Sequence, residues 1–121
     1  MKIKALPIVA TSLLALPLLS SVSFADEQSD QVYNSARNQL GMIKYCAENG
    51  HLPTEAVAAF EKIVAVLPVA SDKAVSDKYE AEGVAGNSYD GTQVVSLKDI
   101  SAGMGSSIAD YCATYKSLIA Q

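Results

Sequence analysis

Cys46 and Cys112 are the only two cysteines in a chain of 121 residues, and a bond between them would clamp the two ends of the fold together. Whether it forms depends on where the chain goes, and the segment from Met1 to Ala25 reads as an address. Lys2 and Lys4 give a short positive start, and Ala5 to Leu19 is an apolar run containing Pro7 and Pro17. Ser23-Phe24-Ala25 then closes on small residues. That order of charge, apolar core and small-x-small site is a secretory signal peptide, with cleavage expected after Ala25. The apolar run is about 15 residues, short of the roughly 20 that a membrane-spanning helix needs. Asp26, not a cysteine, follows the site, which argues against a lipoprotein anchor. An exported chain reaches the periplasm or the medium, where paired cysteines become disulfides. Two cysteines leave one intramolecular pairing, Cys46 with Cys112.

Cleavage there leaves 26–121, read as a single helical domain. The leader holds two of the nine basic residues and none of the 13 acids, so seven face 13 and the remaining net charge is -6. An apolar fraction of 50% fits a packed core rather than a disordered chain. The acidic balance disfavours nucleic acid, which needs a basic footprint. It also disfavours anionic lipid surfaces.

Periodicity predicts a mainly α fold, a small bundle of about four helices. The first runs from about Ser29 to Glu48, with Val32, Ala36, Leu40, Ile43 and Ala47 on one face. Gly41 interrupts it, and a glycine there lets another helix approach. Asn49-Gly50 stops it. The second starts at Pro53-Thr54-Glu55 and ends at Pro68. It carries Val57, Phe60, Ile63, Val64 and Leu67, with alanines over much of the remainder, and so is expected at the centre of the bundle. The third runs from Asp72 to Glu82 with Ser71 as N-cap, Ala74, Val75 and Tyr79 inward, and Asp77, Glu80 and Glu82 as an acidic outer face. Asp90-Gly91 marks a turn, and Gln93 to Leu97 a short extended piece. The last helix is expected near Ser96, through Ser96-Leu97-Lys98-Asp99 as an imperfect capping box. Its stripe is Ile100, Met104, Ile108, Cys112, Tyr115 and Ile119, with Gly103 and Gly105 weakening the first turns.

Catalytic chemistry is thinly represented. Cys46 and His51 stand close in sequence, the makings of a nucleophilic pair, but the helix stop between them turns His51 away and export favours the disulfide. His51 is the one histidine, so neither a multi-histidine metal site nor a serine triad is expected. Asp77, Glu80 and Glu82 read as a solvated face rather than an acid–base pair. The expectation is a protein without enzymatic activity, cofactor or metal. The surplus is tyrosine: Tyr33, Tyr45, Tyr79, Tyr89, Tyr111 and Tyr115. Tyrosine favours protein interfaces because it joins apolar area to a hydroxyl. Tyr79 and Tyr115 read as core. The segment Gly86 to Thr92 reads as a binding loop, with Tyr89, Asn87, Asp90 and His51 as candidate contacts for another protein.

Ala36-Arg37-Asn38-Gln39-Leu40-Gly41-Met42-Ile43-Lys44-Tyr45-Cys46, followed by Glu48-Asn49-Gly50-His51, resembles small exported two-cysteine helical proteins of proteobacteria. Some of these carry the label of pore-forming proteins of the early-secretory-antigen type. The layout is also similar to other disulfide-stapled periplasmic proteins, among them secretion-system immunity proteins, pilotins and acid-stress chaperones. The resemblance implies a helical fold and three candidate roles. These are protein binding of the immunity or inhibitor type, membrane activity or pore formation, and acid-stress chaperoning.

Overall fold

The computed structural model describes residues 16–119, with side chains from Asp26 to Ser117. Met1 to Ala15 of the expected signal peptide, and the Ile119 side chain, lie outside the described residues. The protein is mainly helical. Helix α1 (Leu16–Glu48) leads to α2 (Glu55–Ala65) and α3 (Lys73–Val84). A hairpin of β1 (Asn87–Tyr89) and β2 (Val94–Ser96) follows, then α4 (Leu97–Gly103), α5 (Ile108–Ala113) and α6 (Lys116–Ile119). The strands are antiparallel, with Asn87 opposite Ser96 and Tyr89 opposite Val94.

The central element is α1, not α2. Its 33 residues make it about 50 Å long, and it starts well before Ser29. One side of it carries the apolar core. Tyr33, Leu40, Ile43 and Cys46 pack with Leu52, Ala56, Phe60, Val64 and Ala70 around α2, and with Cys112 and Tyr115 from the C-terminal end. The stripe expected on α1 holds at Leu40 and Ile43, which are buried, and at Ala36 and Ala47, which pack against the core; it fails at Val32, which is 56% exposed, and Tyr33, Asn34 and Asn38 are buried as well. On α2, Ala56, Phe60 and Val64 are buried and Ile63 is exposed, so this helix covers one flank.

The other side of α1 receives α3, at close range. A Cβ on Gly41 would overlap the carbonyl oxygen of Glu80 and come within 2.9 Å of the Gly83 Cα. A Cβ on Gly83 would overlap the carbonyl of Asn38 and stand 2.7 Å from the Met42 nitrogen. Two glycines thus face each other across the crossing, as Gly41 suggested for one of them. The N-cap of α3 is Asp72, whose carboxylate accepts from the Ala74 and Val75 amides. Ser71 is engaged elsewhere, donating to Asp30 of α1 at 2.6 Å. Ala74 and Val75 are exposed, and the buried face is Ser76, Tyr79 and Gly83. Ser76 donates to the Asn34 side chain.

Acids expected on an outer face of α3 turn towards α1. Arg37 Nε donates to Glu80 at 2.6 Å, Arg37 Nη2 to Asp77 at 2.8 Å and Lys44 Nζ to Glu80 at 2.8 Å. Glu82 pairs with Lys78 one turn away.

The last expected helix is three. Ser96 does cap α4, accepting from the Asp99 amide. The stripe then breaks at Met104, which is exposed, and at Gly105, whose φ is +70°. Ser107 and Asp110 form a full capping box that restarts the chain as α5. Cys112 on α5 is bonded to Cys46 on α1, with the Cα atoms 5.8 Å apart and both residues fully buried.

Candidate functional site

A cleft of about 300 Å³ opens where α1, the hairpin and the C-terminal helices meet. Ser35, Asn38, Gln39 and Met42 of α1 form one wall. Ser88, Tyr89 and Asp90 form the second, and Tyr111 with Tyr115 the third. The second and third walls are each anchored to the first. Cys112 lies between the two tyrosines of the third wall, so the disulfide ties it to α1. Tyr111 and Tyr115 meet edge to face, with ring centroids 5.9 Å apart. Burial, then the neighbouring Tyr111, raises the pKa of Tyr115 well above that of a free phenol.

The hairpin wall is held by Asn38. Its Nδ2 donates to the Tyr79 carbonyl at 2.9 Å and to the Asn87 carbonyl at 3.2 Å. Its Oδ1 accepts from the Tyr89 amide at 3.1 Å. The side chain is buried with all three bonds made, as a buried amide must be. Tyr89 also packs edge to face on Tyr79, with centroids 4.8 Å apart, and donates from its hydroxyl to the Gly91 carbonyl. Asp90 Oδ1 accepts from the Gln93 amide at 2.7 Å, the Thr92 amide at 2.9 Å and the Thr92 hydroxyl at 3.0 Å. Those bonds, the Gln93 one foremost, hold its carboxyl below the usual range.

Of the four contact residues expected from the sequence, Tyr89 and Asp90 line this cleft. Asn87 does not: its carbonyl is taken by Asn38 and its amide donates to Glu82 at 3.1 Å. It belongs to the scaffold. His51 lies past the C-terminal end of α1, where its backbone N–H donates to the Cys46 carbonyl at 2.8 Å. It lies outside the cleft lining, and no thiol is left at Cys46 to partner it. The binding loop expected over Gly86 to Thr92 is mostly strand β1 and a tight turn. Sequence reasoning missed the α1 wall, because Ser35, Asn38 and Gln39 read as ordinary polar positions on a helix. Tyr111 was visible only as one of six tyrosines.

A second groove of about 450 Å³ lies between the C-terminal end of α1 and α2, lined by Ala47, Val57 and Ala58 with Lys44, Glu48, Thr54 and Glu61 around them. It holds no aromatic ring. Among the described residues, no helix is long and apolar enough to cross a membrane, and no three His, Cys, Asp or Glu side chains gather as metal ligands. Comparison with protein-family models, curated proteins and solved structures finds no match.

Proposed function

We propose that this is an exported helical protein without enzymatic activity that binds another protein, in the manner of an inhibitor or immunity module, through the tyrosine-lined cleft. The observation that carries the reading is the cleft itself. Three tyrosines and Met42 face one small opening, and tyrosine and methionine are the residue types enriched in interface cores. Its walls are fixed in advance by Asn38 and by the disulfide, and a preorganised surface loses less entropy on binding. Export supplies the setting. The leader pattern and a buried disulfide both fit the periplasm or the medium. The net acidic charge favours a basic protein surface over nucleic acid.

Site-specific photo-crosslinking tests this in cells that export the protein. A crosslinker replacing Tyr111 should trap one protein of defined mass. The same group at Lys62, on the exposed side of α2, should trap none. Adducts from Lys62 but not from Tyr111 would move the contact surface away from the cleft and end this reading. N-terminal sequencing of the exported form should begin at Asp26.

A further inference from the structure

The geometry points to an arginine side chain of the partner protein as the group that enters the cleft. This rests on the cleft being the contact surface. Asp90 is the one charged residue among those lining it, and the Gln93 and Thr92 hydrogen bonds favour its carboxylate form. An incoming carboxylate would meet that charge with no cation on the lining to balance it. An apolar side chain would take Ser35, Ser88 and the second carboxylate oxygen of Asp90 out of water with nothing in exchange. A guanidinium satisfies both demands. Its flat face stacks on tyrosine, and its five N–H groups reach several acceptors at once. Asp90, Ser35, Gln39 and Ser88 carry such acceptors and line the cleft together with the tyrosines. The volume, about 300 Å³, is at the lower end for ligand pockets and fits one side chain rather than a cofactor.

The protein uses the same chemistry internally. Arg37 lies over the Tyr33 ring at 5.7 Å with Asp77 and Glu80 on its donors. Lys78 lies over the Tyr89 ring at 5.0 Å, but it does not line the cleft, and Glu82 offsets its charge.

The test is an NMR titration of the oxidised protein with two capped tripeptides, Gly-Arg-Gly and its neutral citrulline counterpart. The arginine peptide should shift the ring signals of Tyr89 and Tyr111, and the citrulline peptide should bind roughly fivefold more weakly. Asp90→Asn keeps an Oδ1 acceptor for the Thr92 and Gln93 amides. It should remove most of the arginine preference, so that the two peptides bind with similar affinity. Equal binding of the two peptides overturns the inference but leaves the cleft as a contact surface. No shift in the cleft with either peptide also overturns it. Crosslinking from Tyr111 separately decides whether the partner contacts the cleft at all.

Discussion

Asn38 shows how much one side chain decides. It sits mid-helix, buried, and closes three hydrogen bonds to α3 and β1. Asn38→Ala strands the Asn87 carbonyl and the Tyr89 amide, and takes the second donor from the Tyr79 carbonyl of α3. An unsatisfied buried polar group costs about 1–3 kcal/mol, so a loss of about 2–3 kcal/mol is expected after relaxation. Chemical denaturation reads the loss, and hydrogen exchange at the Tyr89 amide should accelerate with it. A variant as stable as the parent would show that the hairpin is anchored elsewhere. Glu80 contributes to the response to acid, together with Asp77, Glu82 and Asp90, whose carboxyl pKa values are also lowered. Burial pulls its pKa up, but the hydrogen bonds from Lys44 and Arg37 outweigh that and leave it lowered. Asp77 is lowered too, by Lys73 first and Arg37 second. A carboxylate lowered in the folded state adds stability above its unfolded pKa, near 4, and loses it as pH falls through the folded value. The melting temperature should therefore hold from about pH 7 to about pH 5 and drop below about pH 4. Glu80→Gln should flatten that drop while lowering the plateau, and an unchanged acid slope would remove Glu80 from the explanation.

At the scale of elements, the crossing of α1 and α3 is set by absence of side chain. Replacing a helical glycine by alanine normally gains about 1 kcal/mol in propensity. At Gly83 the new methyl meets the backbone of Asn38 and Met42, which cannot rotate away. Overpacking costs about 1–3 kcal/mol, and backbone obstruction belongs at the upper end. Gly83→Ala should therefore be destabilising, read as a lower melting temperature. A more stable variant would mean the helices stand further apart. The sequence shows why only half of this crossing was legible. Gly41 interrupts an apolar stripe and so attracts notice. Gly83 sits at the end of a polar segment and reads as a helix stop. The disulfide was legible because two cysteines leave one pairing, and the leader pattern suggested export. The side of α1 facing α3 was not, because it is built from Asn34, Arg37 and Asn38, and hydropathy counts these as solvent-facing. The single long C-terminal stripe was misleading for a related reason. Its four-residue spacing survives across Met104 and Gly105, but Ser107 with Asp110 supplies a second helix start. In the cleft, Tyr89 and Asp90 were legible as turn-proximal residues. The α1 wall needed the register first.

The whole molecule is small, acidic and closed by one covalent bond. The part expected to persist after export is 26–121, and domains of this size have total stabilities of only about 5–15 kcal/mol. Helices α5 and α6 are short, no more than two turns each, and would be marginal without tertiary support. The bond between Cys46 and Cys112 holds them against α1, and with them the Tyr111 and Tyr115 wall of the cleft. Closing a loop with a sequence separation of 66 is worth about 4 kcal/mol in the chain-entropy model. This clamp should keep the walls of the cleft assembled. Thermal unfolding of the protein before and after reduction tests it most directly. The reduced form should melt roughly 15–30 °C lower, since each kcal/mol moves the midpoint of a domain this size by about 4–8 °C. Coincident melting curves would contradict the claim.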